Sequence, residues 1–335
     1  MSEAYISLDV AELNAQFGRP GHVQFVTASG GQTRVDLTYD GHRACVYLQG
    51  AHITSYQANG EELLWNSHSA QYQPGKAIRG GIPLCWPWFG AHPDDANLPQ
   101  HGFARNSNFA VVAVSASPAG TSLQLRLAPT PQYDQWCDDR GGMVELLVDV
   151  RLSNTLYLQA TTINRTARNV VVGGALHTYY RVADVTRVAV PALTGLTYKD
   201  KLNNYAQQCQ TQPFGAPLTQ PFGAPLTQHK GSQLKGLQHG VVQGVDRVYL
   251  SPPTSVVLRD PVQNRAITLR TWGNADMVVW NPGSVAAAAM GDFDDMGYRN
   301  MLCIEPALAL DNTVLIAPGE RHQLGQEISA IRGGL

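Results

Sequence analysis

Charge is scarce in this sequence, and long apolar runs are missing from it. Only 15% of the 335 residues are charged, and the formal net charge is −2. Because a polyanion-binding surface needs a basic excess, we expect no nucleic-acid partner. No run of about 18 apolar residues occurs, so no membrane span is predicted. The first residues lack the basic start and apolar stretch of a signal peptide, which favours a cytoplasmic protein.

Cysteine is also sparse, and its placement is uninformative for metal binding. The five cysteines are scattered and odd in number, and no two of them form a Cys-x-x-Cys pair. Zinc ribbons and disulfide frameworks both show characteristic cysteine spacings, so neither is indicated here. We therefore expect a protein that works without a metal or another cofactor.

What the sequence does contain is two-residue alternation of apolar and polar side chains. Asp40-Gly41 and Asn59-Gly60 separate alternating runs, which is a strong hairpin signal because both turn positions favour positive φ. A short helix is predicted near residues 9–17, and no convincing amphipathic helix of ten or more residues follows. Further strand-like runs occupy 109–114, 122–127, 144–152, 156–163, 169–172, 188–190, 247–250, 255–258, 266–271 and 277–280. The pattern predicts an all-β fold, a single large antiparallel sandwich domain spanning residues 1–335.

One segment repeats itself. TQPFGAPL occurs at 211–218 and again at 219–226. An eight-residue period is too short for a solenoid unit, and its proline and glycine disfavour a helix or a central strand. We predict a duplicated surface loop over residues 211–228, either functionally neutral or a flap over a binding site.

Five short segments concentrate polar side chains of the kind that carry chemistry. They are 76–90, 100–105, 173–182, 244–249 and 301–307. In the first segment, Lys76 and Arg79 precede paired glycines and an aromatic block. An arginine suits an anion and aromatic rings suit the face of a sugar, but the same residues also suit a packed core. His177, in an apolar stretch, fits either a satisfied core histidine or a catalyst, and Asp246 fits either a turn cap or a ligand.

Glu305 is the most informative single residue. It follows three apolar residues and precedes a proline, and a carboxylate is costly to bury unless it is paired or functional. Desolvation would also raise the pKa of Glu305 toward the range useful to a general base. An ion pair with a neighbouring arginine is the structural alternative.

Taken in order, six motifs resemble one family. The motifs are KAIRGGIPLCWPWFG, QHGFAR, GALHTYY, GVDRVYL, VVWNPG and CIEPA. Together they resemble the hexose-6-phosphate mutarotases, or glucose-6-phosphate 1-epimerases, of the aldose 1-epimerase (galactose mutarotase-like) superfamily. The resemblance runs from about residue 35 to residue 319. It implies a large antiparallel β-supersandwich with a substrate cleft on one sheet.

The resemblance also implies roles for individual residues. His177 matches the catalytic histidine of the family, and Glu305 matches its catalytic glutamate. The substrate-binding positions are matched by Arg79, Gln100, Arg105 and Asp246. Lys76 and His101 are further candidates, the first for the phosphate and the second without an assigned role. The duplicated segment departs from the family pattern and lengthens the stretch before Asp246.

The activity implied is interconversion of the α and β anomers of a hexose 6-phosphate. Glu305 would act as base and His177 as acid while the ring opens and closes. The expected partner is a small phosphosugar, and we expect a monomer. Three alternatives stay open: an aldose 1-epimerase for unphosphorylated sugars, a noncatalytic carbohydrate-binding sandwich, and a glycoside hydrolase that uses Asp246 with Glu305.

Overall fold

Antiparallel strands make up most of the structure, a computed structural model that describes residues 8–92, 94–215 and 243–333. The first eleven strands are β1 Val23–Thr27, β2 Thr33–Tyr39, β3 His42–Tyr47, β4 His52–Ala58, β5 Glu61–Glu62, β6 Leu84–Cys85, β7 Phe109–Ser117, β8 Gly120–Leu127, β9 Val144–Leu152, β10 Leu156–Asn164 and β11 Val170–Val172. The others are β12 Gly174–Leu176, β13 Tyr179–Arg181, β14 Thr197–Asp200, β15 Ala206–Cys209, β16 Val245–Leu250, β17 Ser255–Asp260, β18 Arg265–Trp272, β19 Asp276–Asn281, β20 Met301–Leu308, β21 Val314–Ile316 and β22 Arg321–Arg332. The all-β expectation is confirmed.

Helices are short, as the sequence predicts. The α-helices are α1 Val10–Phe17, α2 Pro131–Asp138 and α3 Gly283–Ala289. Single 3-10 turns lie at Ser29–Gly31, Ala104–Asn106, Val185–Arg187, Pro191–Leu193, Lys201–Asn203 and Gly297–Asn300. Asp9 and Glu12 form a capping box that starts α1, since each side chain accepts from the other residue's backbone N–H. None of the described helices is long and apolar enough to cross a membrane.

The two hairpin predictions are correct. Asp40 and Gly41 have φ of 37° and 77°, and they join β2 to β3. Asn59 and Gly60, with φ of 51° and 80°, join β4 to β5. Positive φ at both central positions matches the right-handed twist of the flanking strands. Local turn chemistry therefore determines the register of the β2–β3 and β4–β5 pairs.

The strands form three main sheets. A five-stranded sheet has the order β1-β2-β3-β4-β5, and a seven-stranded sheet has the order β17-β18-β22-β10-β9-β8-β7. The third sheet has the order β15-β14-β16-β19-β20-β12-β6, with β13 also paired to β20. A small ladder joins β11 and β21. Contacts of β2 with β8 and of β20 with β22 show that the seven-stranded sheet packs against both of the others.

The core lies between these sheets. Alternate residues of β9 are buried from Val144 to Leu152, as the two-residue period of a strand with one covered face requires. In contrast, every residue of β20 is buried, and its Met301 and Cys303 pack in a second cluster with Trp65, Ala287 and Phe293. A strand buried on both faces can carry a polar side chain only into an enclosed space. Glu305 is the charged residue of β20, and its side chain is therefore enclosed.

Two sequence predictions need comment. Residues 188–190 do not form a regular strand: Ala189 and Val190 make only isolated bridges, to Arg259 and Phe214. The predicted surface loop at 211–228 lies outside the described residues from position 216 onward. Within the described part, Phe214 is 4% exposed, so this residue of the first copy is a core residue rather than a surface residue.

Candidate active site

A cavity of about 1060 Å³ opens on one face of the eight-stranded assembly of β6, β12 to β16, β19 and β20. Its wall contains seven of the eight residues singled out in the sequence. They are Arg79, Gln100, His101, Arg105, His177, Asp246 and Glu305. The eighth, Lys76, is exposed and its ammonium donates to Gln71 Oε1 at 3.2 Å, so the prediction of Lys76 as a site residue is not supported. The main-chain carbonyl of Lys76 accepts a hydrogen bond from Gln49 Nε2.

His177 and Glu305 are neighbours in this wall. His177 Nδ1 lies 3.2 Å from Glu305 Oε1, and the side chains are 10% and 0% exposed. The contact does not have hydrogen-bond geometry, and neither carboxylate oxygen has a hydrogen-bond partner. Such a carboxyl is poorly solvated when charged, so it favours the protonated form.

The surroundings push the two pKa values in opposite directions. Burial raises the pKa of Glu305 well above its usual range, and the nearby Asp246 raises it further. Burial lowers the pKa of His177 well below its usual value, and the charges of Arg105 and Arg79 act in the same direction. Burial therefore favours the uncharged form of each group, a carboxylic acid at Glu305 and a neutral imidazole at His177.

The imidazole of His177 is held by aromatic rings. It stacks on Tyr179 with centroids 4.8 Å apart and an interplanar angle of 8°. Trp280 and His101 meet it edge-on, at 5.8 and 5.9 Å. Tyr179 in turn accepts a hydrogen bond from Arg79 Nη1 at 3.1 Å. The ring is therefore oriented by packing before any ligand enters.

His101 sits in a turn that only a glycine neighbour permits. Gly102 has φ of +73°, and a Cβ on it would lie 2.0 Å from Trp86 O. The turn lets His101 N–H donate to Gly90 O at 2.7 Å, while His101 Nδ1 accepts from Gly90 N–H at 3.3 Å. An accepting Nδ1 leaves the proton on Nε2. Burial lowers the pKa of His101 to about 3, so this ring is a neutral donor.

Two of the arginines in the cavity wall, Arg79 and Arg105, are among the residues singled out in the sequence. Arg79 Nε donates to Asp292 Oδ2 at 3.2 Å, and its Nη2 lies 3.2 Å from Asp292 Oδ1. Arg105 Nη2 donates to Gln100 O at 2.7 Å, whereas its Nε is buried without a partner. The side chain of Gln100 is exposed, so its described contribution is through its carbonyl. Each guanidinium keeps further N–H groups for a ligand.

Asp246 has a partner that sequence reasoning missed. Lys201 Nζ lies 3.2 Å from Asp246 Oδ2, and the side chains are 49% and 16% exposed. Burial raises the pKa of Asp246, and Lys201 opposes that shift. Lys201 stands outside the six motifs, and only the Asp200-Lys201 pair at the end of β14 distinguishes it in the sequence. Asp292, the partner of Arg79, likewise lies in no motif.

Among the described residues, one trio could offer ligand atoms to a metal. Atoms of His177, Cys303 and Glu305 lie within 4.8 Å of one another, and all three residues are buried. Burial raises the pKa of the Cys303 thiol well above its usual value, as it does that of Glu305. A cation would have to displace both protons. The donor set therefore fits proton transfer better than metal binding.

Comparison with known proteins identifies a single family. The family model described as aldose 1-epimerase matches residues 34–329. A relative from Escherichia coli named "Putative glucose-6-phosphate 1-epimerase" is 32% identical over 288 residues, or 85% of this chain and 86% of that protein. Another of the same name, from Cenchrus ciliaris, is 33% identical over 301 residues, or 87% and 83% of the two chains.

Solved structures agree with this result. The crystal structure of a "putative mutarotase" from Salmonella typhimurium superposes with a TM-score of 0.78 and 26% identity, covering 93% of this chain and 94% of that one. A "Putative aldose 1-epimerase" from Escherichia coli, 16% identical with a TM-score of 0.62, covers 90% of this chain and 100% of its own, and shows the shared fold alone. The β-supersandwich expected from the sequence is confirmed.

Proposed function

The chain belongs to the aldose 1-epimerase family and is an isomerase of sugar anomers; from this premise we propose that its substrate is a hexose 6-phosphate, with glucose 6-phosphate as the first candidate. The observation that carries the proposal is the buried His177–Glu305 contact of 3.2 Å in a cavity that also contains Arg79 and Arg105. An acid, a base and two cations in one enclosed space match a phosphorylated sugar.

Anomer exchange requires two proton transfers at the ring. Glu305, as carboxylate, takes the proton of the anomeric hydroxyl, and the electron pair forms the C1=O1 double bond while the bond from C1 to the ring oxygen breaks. His177, as imidazolium, protonates that oxygen. After rotation about C1–C2, the oxygen returns its proton to His177 and attacks the other face of C1, and O1 recovers its proton from Glu305. Each such general acid or base contributes roughly 10²- to 10⁴-fold.

The active protonation state differs from the resting one by the position of one proton. In the free protein, burial favours a neutral carboxylic acid and a neutral imidazole. Transfer of the proton from Glu305 to His177 creates the base and the acid together without a change in net charge. The two atoms lie 3.2 Å apart, so the transfer needs only a reorientation of the side chains that gives this contact hydrogen-bond geometry. A bound phosphate dianion beside Arg79 and Arg105 would reduce the positive field that disfavours a charged His177.

The two arginines are assigned to the 6-phosphate. Arg105 Nε is a buried donor without a partner, which is costly unless a ligand accepts from it. Arg79 is held in place by Asp292 and Tyr179 and keeps the rest of its N–H groups free. Guanidinium groups bind phosphate oxygens through charge-assisted, often paired hydrogen bonds. Asp246 and His101 are assigned to the sugar hydroxyls, as acceptor and donor.

A phosphorylated sugar also suggests where the protein works. A charged hexose phosphate does not cross an apolar bilayer unaided, because desolvating its charges is too costly. We therefore propose a cytoplasmic location together with this substrate.

Exchange spectroscopy by NMR on the anomeric protons of glucose 6-phosphate tests the proposal. We expect catalytic amounts of the protein to accelerate exchange, and we expect a smaller effect on glucose. Glu305→Gln is the matched inactive control, because it keeps the side-chain volume and removes the base. No acceleration on either sugar would reject the activity. Equal acceleration on both would reject the phosphosugar and favour an aldose 1-epimerase for unphosphorylated sugars.

A further inference from the structure

Lys201 occupies a defined place in the cavity wall, beside Asp246. It is the first residue of the 3-10 turn Lys201–Asn203, which follows β14 directly. β14 pairs with β16, so the turn lies next to Asp246 at the start of β16. The distance from Lys201 Nζ to Asp246 Oδ2 is 3.2 Å, and all three of Lys201, Asp246 and Glu305 line the cavity.

Two carboxyl groups in one cavity present an electrostatic problem. Glu305 is fully buried and its carboxylate oxygens accept no hydrogen bond, so no donor among the described residues solvates a negative charge there while His177 is neutral. The negative charge of Asp246 makes ionisation of Glu305 still harder. Like charges in one poorly solvated cavity resist simultaneous ionisation, and a cation that pairs with one of them reduces the conflict. The mechanism nevertheless requires Glu305 to act as a carboxylate.

The other charged groups around the pair are already engaged. Asp246 faces Lys201 and Asp200, and Asp200 lies 3.8 Å from Arg247 while its side chain accepts from the backbone of Leu202. On the other side, His177 faces His101, Arg105 and Arg79. Arg79 is paired with Asp292, and Arg105 is directed to Gln100 O. Among the described residues that surround Glu305, Lys201 is therefore the cation that pairs with the neighbouring carboxylate of Asp246.

We propose that Lys201 is a positioning residue of the active site, whose ion pair with Asp246 offsets that charge beside Glu305 and so allows Glu305 to ionise. The inference rests on the proposed function, because it assumes that Glu305 is the base. It assigns Lys201 an electrostatic action through Asp246 and no contact with the reacting atoms.

The direct test is a pH titration of the free protein by NMR. The side-chain carboxyl carbon of Glu305, in protein labelled at glutamate, is assigned by its disappearance in Glu305→Gln. Removal of the cation in Lys201→Met is expected to move the titration of Glu305 upward by about one pH unit, as the loss of a neighbouring opposite charge does elsewhere. Lys201→Arg keeps the charge and is expected to titrate close to wild type.

Lys199 supplies the matched control. It lies two residues earlier, and its ammonium pairs with Asp311, a carboxylate that is 91% exposed. Lys199→Met therefore removes the same charge from the same rim, with the ion pair to Asp246 intact. Its Glu305 titration is expected to overlay that of the wild type. Coincident curves for Lys201→Met and wild type, or an equal shift in Lys199→Met, would overturn the inference.

The second readout is the pH dependence of kcat/KM for anomer exchange. The basic limb of Lys201→Met is expected to move upward with the NMR titration, because above it the Glu305–His177 pair has lost the proton that His177 needs as acid, and kcat/KM of the variant is expected to approach that of wild type at high pH. A uniform loss at every pH would show instead that Lys201 binds substrate, and would also overturn the inference. Since the titration needs no substrate, it decides the role of Lys201 even if the exchange assay rejects the proposed function.

Discussion

His177 stands directly opposite Glu305 in the antiparallel register of the third sheet. The flanking ladder pairs are Ala175 with Ala307 and Tyr179 with Cys303. Position 177 is midway between the first residues of these pairs, and position 305 is midway between the second. Facing side chains of an antiparallel pair lie on the same side of the sheet, with Cβ atoms about 4.5–5.5 Å apart. The proposed acid and base are therefore brought together by sheet register.

The buried carboxyl of Glu305 predicts a pH-dependent cost in stability. Between the ordinary glutamate pKa and its raised value in the folded chain, the unfolded chain releases a proton that the folded chain retains. Stability therefore falls as pH rises through this window, by about 1.4 kcal/mol per pH unit. Glu305→Gln lacks the titration. Its melting temperature relative to wild type is expected to increase from pH 4 to pH 8.

Thermal unfolding at several pH values measures this difference. Glu320→Gln is a suitable control for the substitution itself, because Glu320 is exposed. A difference for Glu305→Gln that stays constant with pH would show that Glu305 titrates alike in the folded and unfolded chains.

Arg79→Ala is expected to reduce kcat/KM for glucose 6-phosphate much more than for glucose. A charge-assisted hydrogen bond contributes about 1.5–3 kcal/mol, so the selective loss should be on the order of 10- to 100-fold. Exchange kinetics on the two sugars give the ratio directly. Arg151 provides the comparison: its guanidinium lies over the Tyr157 ring at 4.7 Å, away from the cavity wall, and Arg151→Ala should affect both sugars by the same factor. Equal losses on both sugars in Arg79→Ala would contradict the phosphate assignment.

Two substitutions at His101 separate the roles of its two ring nitrogens. In His101→Gln the new amide N–H would lie near the position of Nε2, whereas His101→Asn would reproduce only the acceptor that meets Gly90 N–H. If Nε2–H donates to the sugar, His101→Gln should retain about ten times more kcat/KM than His101→Asn, the value of one good hydrogen bond. Asparagine tolerates the positive φ of 66° better, so backbone strain works against this outcome. Higher activity in His101→Asn would show that His101 acts through the turn alone.

Gly102→Ala should destabilise the fold and displace the turn that presents His101. A Cβ there would meet Trp86 O at 2.0 Å and Pro87 N at 2.8 Å, in addition to the strain of φ +73°. Gly60→Ala isolates the strain, because Gly60 has φ +80° and nothing within 4 Å of its added Cβ. Urea unfolding should show a loss of about 1–2 kcal/mol for Gly60→Ala and clearly more for Gly102→Ala. Similar losses would mean that the backbone relaxes around the new methyl group.

Local sequence was sufficient to predict most of the sheet elements. The run 144–152 coincides with β9, and the hairpins at Asp40-Gly41 and Asn59-Gly60 are correct, because alternation and positive-φ turns act within a few residues. The prediction of a strand at 188–190 was wrong, because the apolar character of this run reflects burial and not strand pairing. Its residues are apolar because they enter the core, and they find only single bridging partners.

The site was accessible from the sequence only as separate motifs. Resemblance to a family pointed to His177, Glu305 and five other wall residues, and the cavity contains all of them. Lys76 had the right charge in the right motif, but its side chain points to Gln71. Lys201 could not be found in this way, because its partner Asp246 is 45 positions away (246 − 201) and ion pairs leave no periodic signal.

The sequence by itself determined the strand pattern, the turn positions and the inventory of acids, bases and cations, because these depend on the order of neighbouring residues. Only the tertiary structure decided how easily each of these acids and bases becomes charged. Register placed His177 across from Glu305, the surrounding sheets removed water from both, and the ladder between β14 and β16 brought Lys201 to Asp246. Solvation and the distances between charges depend on the three-dimensional arrangement of the residues, and they determine whether a carboxyl group in an apolar strand can act as a base.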